Sequence, residues 1–193
     1  NTAKQSKPIL EIITPMAAYR LRDARTDEID QMQAIDLESS ELFRDTGLID
    51  FGPEEQLEPI PENRLRQAFG DQLIWVAADA NDRPVGFCMC ADMGPDLYLD
   101  QVSVLTTHGR QGLGARLVQR AIDEAAERKH KRVSLSTFKD VPWNGPFYAR
   151  MGFREIPERR YSDWQKDIVE RQKETMDVSL RCFMERPVKR LLW

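Results

Sequence analysis

The sequence predicts an α/β (α+β) fold: a mixed, mostly antiparallel central sheet flanked by helices, with an extra helix between the last two strands. Three observations predict it. Short strands separated by turns span residues 73–105, the apolar period changes from 2 to 3.6 after His108, and strand patterns return after that helix. The 193 residues suit one domain with its own core. We assign residues 1–15 to a flexible tail and 16–193 to a single domain.

The first elements are a strand and a helix. Residues 16–25 alternate apolar and charged side chains around Tyr19 and Leu21, which favours a strand. Thr26 is a plausible N-cap for a helix that ends near Arg44. The connection over residues 47–63 is rich in Gly and Pro, and loops of this length are usually functional or mobile. A short helix over residues 62–69 then ends at a glycine.

A meander and a crossover unit form the middle of the chain. Apolar runs separated by turn residues predict antiparallel strands at 73–78, 85–91 and 97–105. Apolar residues at helical spacing follow over 113–129, and a strand pattern returns at 133–138. A strand, helix and strand in this order predict a parallel pair with a right-handed crossover.

Short elements complete the sheet. A helix is predicted over residues 144–151 and a strand over 153–156. Ser162 and Gln165 match a capping box, which predicts the start of the extra helix. The run at 178–184 is the last strand.

Composition excludes several classes of protein. The net charge of −4 argues against a general nucleic-acid partner, whose binding needs clustered Lys and Arg. No run approaches the roughly 20 apolar residues of a membrane span, and no charged-then-apolar segment opens the chain. The chain has only two histidines, which leaves little for a zinc site. Cys88 and Cys90 are two residues apart, a spacing that fits neither a zinc site nor a CxxC redox pair. We therefore expect a cytoplasmic protein without a metal, a nucleic-acid partner or a membrane partner.

The segment VSVLTTHGRQGLGA, residues 102–115, is the most informative motif. A strand runs through a glycine-rich turn into an amphipathic helix, and such a turn can direct backbone amides at a phosphate. Gly112 and Gly114 permit close approach, and Arg110 adds a cation. The turn lacks the GK followed by Ser or Thr of a Walker loop, and Leu117 occupies the third glycine position of a dinucleotide fingerprint. The simpler alternative is that the glycines only shape the turn.

These features together resemble the GCN5-related N-acetyltransferase (GNAT) superfamily. The resemblance rests on the order of elements, on RQGLGA after a VSV strand, and on FYARMGF at residues 147–153. It extends from about Arg20 to Met184. The cofactor signature Q/R-x-x-G-x-G/A falls on residues 109–114, with Gly109 in place of the usual Gln or Arg. The resemblance implies a GNAT-like fold and acetyl-CoA as cosubstrate.

The resemblance also implies which residues hold coenzyme A. The pantetheine arm would pair like an extra strand with the backbone of Val102, Ser103 and Val104, the two valine side chains staying in the core. Asn144 would touch the arm, or would only cap its helix. The remaining cofactor residues lie in the turn and hold the pyrophosphate through backbone amides; they are Gly109, Arg110, Gln111, Gly112, Leu113, Gly114 and Ala115.

Tyr148 in FYARMGF is the candidate catalytic acid. A departing thiolate has a pKa near ~8.5, and a phenol of pKa near ~10 can hydrogen-bond to it or protonate it. The alternative for Tyr148 is a packed aromatic ring on a short helix, and we assign Phe153 to the core.

Asp100 is the first choice for a general base that accepts a proton from the amine. Strand alternation places it on the same face as Val102 and Val104. It could instead be structural and pair with an arginine such as Arg20. Glu41 and Asp92 are weaker candidates, and Ser136 stands where some relatives carry a glutamate.

The predicted function is acetyl-CoA-dependent transfer of an acetyl group to a primary amine of a small molecule, by direct attack on the thioester. The alternatives are a protein N-terminal or lysine acetyltransferase and a non-catalytic acyl-CoA-binding module. The resemblance to the family also implies a homodimer. The segment over residues 157–173 is longer than a hairpin needs, and Trp164 and Ile168 on its helix would otherwise be exposed.

Overall fold

Seven strands form one mixed sheet in the order β1-β2-β3-β4-β5-β7-β6. A computed structural model describes residues 19–48 and 57–188, so the predicted tail and part of the long connection lie outside the described residues. Only β4 and β5 pair in parallel among these neighbours, which confirms the predicted sheet. The strands are β1 (Arg20–Asp23), β2 (Ile74–Ala78), β3 (Pro84–Met93), β4 (Asp96–Val104), β5 (Arg132–Phe138), β6 (Arg154–Glu155) and β7 (Arg181–Pro187).

Helices cover both faces of the sheet. The helices are α1 (Ile29–Ser40), α2 (Glu62–Gly70), α3 (Leu113–Glu127), α4 (Gly145–Arg150) and α5 (Asp163–Gln172). One face of the sheet packs against α3, while α1 and α2 pack against the opposite face. Phe87 and Met89 contact α1 and α2, whereas Ala91 and Met93, at the same alternation of β3, contact the α5 side. The three helices α1, α2 and α5 therefore share one face, with the β4–β5 junction between them.

The amphipathic helix α3 anchors the glycine turn. Its buried stripe follows helical spacing and consists of Leu113, Leu117, Val118, Ala121, Ile122 and Ala125. A fully buried Leu, Ile or Val contributes about 1.5–3 kcal/mol, so this face fixes the helix firmly against the sheet. Because α3 begins directly after the turn, the turn is held at the edge of the gap between β4 and β5.

The parallel pair β4–β5 separates after three residue pairs. Asp96, Leu97 and Tyr98 pair with Arg132, Val133 and Ser134, and no pairing continues beyond them. Yet β4 runs on to Val104 and β5 to Phe138. The two strands diverge as the family resemblance implies, and their facing edges keep free hydrogen-bonding groups.

A β-bulge at Asp100 changes the phase of β4. Met89 of β3 lies opposite Gln101 and Cys90 lies opposite Leu99, so Asp100 has no partner residue on β3. Leu97 and Leu99 face α3 before the bulge, and Val102 and Val104 face it afterwards. The prediction that Asp100 shares a face with the two valines was therefore wrong, because simple alternation cannot anticipate an inserted residue.

Two predicted boundaries were also wrong. Thr26 is not the N-cap of α1; it begins a 3₁₀ turn over Thr26–Glu28, and α1 starts at Ile29. The predicted strand at residues 178–184 begins instead with a 3₁₀ turn over Val178–Leu180, and β7 starts only at Arg181. Among the described residues, no helix is long and apolar enough to cross a membrane.

Helix α5 lies between β6 and β7 as predicted, and Ser162 and Gln165 form its capping box. Its apolar side is covered within the chain. Ile168 is 6% exposed, and the Trp164 ring contacts Tyr98 at 5.3 Å and Phe183 at 5.7 Å between ring centroids. The expectation that Trp164 and Ile168 need a second subunit was wrong, so the predicted homodimer loses this argument.

Candidate active site

A cleft of about 1590 Å³ opens where β4 and β5 separate. The glycine turn and α4 line one end of it, and α1, α2 and α5 line the other. The predicted site residues that border this space are Asp100, Val102–Val104, Gly109, Arg110, Gly112–Ala115, Asn144 and Tyr148, whereas the predicted Gln111 does not border it. The fold therefore brings together two motifs that lie some thirty residues apart in the sequence.

Six consecutive backbone amides form a row of free donors at the start of α3. Within the described part of the chain, none of the amides of residues 110–115 donates a hydrogen bond to a backbone or side-chain acceptor. Gly112, which precedes α3, has no side-chain cap over the helix end. Clustered amides at a helix N-terminus bind phosphate groups, so this row fits the pyrophosphate of coenzyme A.

Gly112 makes this row possible through its backbone conformation. Its φ is +74°, and a Cβ there would meet no atom within 4 Å. The glycine is thus required by the left-handed backbone and not by crowding. Arg110 is exposed beside the row with a φ of +58°, whereas Arg116 turns away and donates to the Tyr19 carbonyl at 3.1 Å.

The open edge of β4 presents donors toward the gap. The Leu105 amide bonds to the Val85 carbonyl on β3, and antiparallel alternation then directs the amides of Val102 and Val104 to the opposite edge. Both valine side chains are half-buried against the core on the α3 face. This geometry suits a ligand that adds itself to β4 as a short strand.

Tyr148 lies on α4 with its ring between two other aromatics. Ring centroids are 5.0 Å from Phe147 and 5.8 Å from Phe153, which is itself buried as predicted. The Tyr148 hydroxyl makes no hydrogen bond to any described residue, although the ring borders the cleft. Burial raises the pKa of the Tyr148 phenol above its usual value, so the hydroxyl remains a donor at neutral pH.

Asn144 occupies the position before α4 but does not cap it. Its side chain makes no capping hydrogen bond and instead accepts one from the Thr137 hydroxyl at 2.8 Å. The cap interpretation is therefore wrong for the side chain. Thr137 orients the Asn144 amide at the edge of the cleft, where its NH₂ group stays available to a ligand.

Asp36 is the acid that the sequence interpretation missed. It lies on α1 and is 7% exposed, and its Oδ1 accepts from Gln101 Nε2 at 2.8 Å and from Ser103 Oγ at 3.3 Å. Burial raises the pKa of Asp36 to about 6, against the hydrogen bond from Ser103, which lowers it. A signal existed: Asp36 follows Ile29 and Met32 at helical spacing and so falls on the buried stripe of α1.

Asp100 forms an ion pair with Arg64. Its Oδ2 lies 2.6 Å from Arg64 Nη2 on α2, so the pairing arginine is not the expected Arg20. Of the weaker candidates, Glu41 pairs with Arg44 and Asp92 accepts the Gly94 amide at 2.9 Å, and neither borders the cleft.

Ser136 belongs to a polar cluster at the far wall of the cleft. Its hydroxyl donates to Gln172 Oε1 at 3.0 Å, and Arg181 Nη2 donates to the Ser136 carbonyl at 3.0 Å. Arg181 Nε also reaches Gln172 Oε1 at 3.2 Å. Desolvation lowers the pKa of the Arg181 guanidinium, and its carbon lies 4.5 Å above the Phe138 ring.

The three cysteines are free and buried. Burial raises the pKa of Cys90 well above the usual thiol value and that of Cys182 to about 11. These two thiols therefore stay protonated at neutral pH, which makes them poor nucleophiles.

The diverging strands, the free amide row and Tyr148 border one cleft, and the amide row offers donors of the kind that bind phosphate. A profile described as "Acetyltransferase (GNAT) family" matches residues 36–153. The chain therefore belongs to this family and is a GNAT-type N-acetyltransferase, which confirms the resemblance stated from the sequence.

Solved structures agree with the fold. A GNAT-family acetyltransferase from Staphylococcus aureus has a TM-score of 0.67 and 13% identity, with coverage of 89% of this chain and 100% of its own. The PaiA N-acetyltransferase from Thermoplasma acidophilum, in complex with coenzyme A, has a TM-score of 0.64 and 12% identity over 88% and 99%. A chain of the NatC complex bound to Gag peptide and CoA has a TM-score of 0.63 and 15% identity over 89% and 99%.

Proposed function

We propose that this N-acetyltransferase transfers the acetyl group of acetyl-CoA to a primary amine of a small molecule by direct attack on the thioester. The observation that carries the proposal is the gap between β4 and β5, which joins the free amide row at one end to buried polar side chains at the other. Acetyl-CoA supplies an activated acyl carbon and a thiolate leaving group.

The residues of the turn and of β4 fit coenzyme A. The amides of residues 110–115 would hold the pyrophosphate, and the backbone of Val102–Val104 would pair with the pantetheine arm. Asn144 would reach the arm with its NH₂ group. An amide of β4 that points into the gap can also polarise the thioester carbonyl.

Tyr148 would donate a hydrogen bond to the departing sulfur. Its phenol has a raised pKa, so full proton transfer to a thiolate of pKa near ~8.5 is uphill. Hydrogen bonding to the charge that develops on sulfur needs no such transfer. The Tyr148 hydroxyl has no hydrogen-bond partner among the described residues, which supports this role over simple packing.

Asp36 is the general base that the geometry supports best. A carboxylate with a pKa of about 6 can hold a proton from the amine near neutral pH, and Asp36 contacts the side chains of Gln101 and Ser103 on the β4 segment beside the gap. Asp100, the base proposed from the sequence, is bound to Arg64 and competes for the role.

Helix α5 and the cluster around Ser136 form the wall of the cleft away from α1 and α2, which supports a small acceptor over an extended peptide. The competing readings are a protein or peptide acceptor and a CoA-binding module without turnover. The cytoplasmic location and the homodimer stay predictions, the latter to be tested by sedimentation at micromolar concentration.

The deciding experiment follows release of the CoA thiol from acetyl-CoA across a panel of amines, amino acids and short peptides. Amine-dependent thiol release with an N-acetylated small molecule as product supports the proposal. Turnover of the peptides alone would assign a protein acceptor. Tight CoA binding without amine-dependent release would assign a binding module and overturn the enzyme function.

A further inference from the structure

Arg181 is a partly buried cation without an acidic partner. Among the described residues, no carboxylate lies within 4.0 Å of its guanidinium, and its hydrogen bonds go to Ser136 and Gln172, both neutral. Taking a charge out of water costs free energy that a nearby opposite charge would offset. Its hydrogen bonds and the Phe138 ring offset part of this cost, but no carboxylate of the described residues does so.

The hydrogen bonds leave one edge of the guanidinium available. Arg181 Nε and Nη2 donate to Ser136 and Gln172, whereas Nη1 donates to none of the residues that the structure describes. Those contacts and the Phe138 ring fix the orientation of the group, so the free edge is preorganised. The free edge can pair with a carboxylate through parallel N–H···O hydrogen bonds.

The surroundings extend this positive wall. Arg171 on α5 borders the same cleft and, like Arg181, has no carboxylate within 4.0 Å in the described part of the chain. Tyr98 also lines this cleft, and its hydroxyl has no hydrogen-bond partner among the described residues. A neutral donor and two cations therefore face the same space.

The opposite wall carries the complementary charge. Asp36 on α1 faces the cleft from the side of β4, and Asp100 lies on β4 next to it with Arg64 as its partner. An acceptor with an amine at one end and a carboxylate at the other would place the amine toward Asp36 and the carboxylate toward Arg181. A simple alkylamine would leave the guanidinium without a counter-ion.

We propose that the acceptor is an amino acid, with its carboxylate bound by the free edge of Arg181 and its amine presented to the acetyl group. This inference rests on the proposed function and narrows its substrate class. Ser136 and Gln172 are positioning residues, because they orient Arg181 and need not touch the acceptor.

The test compares amino acids with their carboxamides as acceptors, in the wild-type enzyme and in Arg181→Gln. Each pair keeps the side chain and the amine but removes the carboxylate charge, and differences in amine basicity cancel when the two enzymes are compared. A charged hydrogen bond contributes about 1.5–3 kcal/mol, so the acid-to-amide ratio of kcat/KM should be roughly 10–100-fold higher in the wild type than in Arg181→Gln. The variant should lose this factor mainly through KM, with CoA affinity unchanged.

Two further variants sharpen the result. Arg181→Lys keeps the charge but not the fork, so its preference should be intermediate. Arg66→Gln, an exposed arginine of α2 that pairs with Glu62 outside the cleft, is the matched control and should keep the full wild-type ratio. An acid-to-amide ratio that is the same in wild type and Arg181→Gln would overturn the inference and make Arg181 structural.

Failure of the inference and failure of the proposed function give different results. Wild-type turnover of amines with the same acid-to-amide ratio as in Arg181→Gln overturns the inference alone. Absence of turnover with every amine overturns the proposed function and the inference with it. If Arg181→Gln fails to fold, the wild type is tested instead for inhibition by N-acetyl amino acids and by the corresponding carboxamides. Stronger inhibition by the acids supports the carboxylate site, and equal inhibition by the two would overturn it.

Discussion

Two arginines in this molecule occupy opposite electrostatic situations. Arg22 on β1 is 12% exposed at its side chain and contacts Glu28 at 2.5 Å and Asp82 at 2.9 Å. The Glu28 carboxylate, hydrogen-bonded to the guanidinium, raises the pKa of Arg22 above its usual range. Arg181 has neutral partners, and desolvation lowers its pKa. Arg22 therefore has carboxylate partners within the fold, whereas Arg181 has none among the described residues.

The same contrast separates the two regions around them. At β1 and just after it, Arg20, Arg22 and Arg25 all contact Asp82, whose pKa these hydrogen bonds hold far below its usual range. In the cleft, the amide row at residues 110–115 and the Tyr148 hydroxyl have no partner among the described residues. Satisfied groups stabilise a fold, whereas preorganised and unsatisfied groups bind ligands and transition states. Substitutions should therefore separate stability at β1 from activity in the cleft.

The largest effect on activity is expected from Asp36→Asn. Loss of a general base lowers kcat/KM by roughly 10²–10⁴-fold. The wild-type kcat/KM should fall on the acidic side of about pH 6, and the variant should lack this limb. An unchanged pH profile in Asp36→Asn, with the limb removed by Asp100→Asn instead, would return the role to Asp100.

The same variant tests stability with a defined sign. Asp36 has a folded-state pKa of about 6, raised by burial above the value of 3.8 expected when unfolded. The folded protein therefore binds the proton more tightly, and the wild type loses stability as the pH rises from about 4 to 6. This loss approaches about 3 kcal/mol above pH 6. Denaturation of both proteins across this window should show Asp36→Asn gaining relative to wild type as the pH rises.

Tyr148→Phe should have the next largest effect. Removing a hydrogen-bond donor to a developing charge costs about 10²–10³-fold in kcat. CoA affinity and thermal stability should change little, because the ring keeps its contacts with Phe147 and Phe153. Steady-state kinetics with calorimetric CoA titration tests this, and full kcat in the variant would leave Tyr148 with packing alone.

Gly112→Val should weaken CoA binding by roughly 10–100-fold, since it disturbs the charge-assisted amide contacts. The left-handed backbone adds about 1–2 kcal/mol of strain. Gly94→Val is the matched control: Gly94 has a φ of +75° and open space, and it lies in the turn between β3 and β4. Equal loss of CoA affinity in both variants, measured by calorimetry, would make the effect one of strain and not of the site.

Sequence reasoning was strongest where chemistry is local. The glycine turn and Tyr148 sit in short segments whose spacing carries their structure, and both border the cleft as expected. No sequence pattern singled out Arg181, because the orientation of its guanidinium depends on Ser136 and Gln172, which lie in other parts of the chain. The bulge at Asp100 is equally non-local, since it depends on how β3 and β4 pair. Asp36 could have been predicted from the sequence, because it is an acid on the buried stripe of α1.

The most direct test measures the free energy of unfolding and kcat/KM for Arg22→Gln and Arg181→Gln side by side. Arg22→Gln removes the closest cation from the buried Glu28, so it should lose about 3 kcal/mol of stability and keep the wild-type kcat/KM per folded molecule. Arg181→Gln should keep its stability within about 1 kcal/mol and lose about tenfold or more in kcat/KM for amino acids. A large loss of stability in Arg181→Gln with its activity intact would show that Arg181 stabilises the fold and does not bind the acceptor.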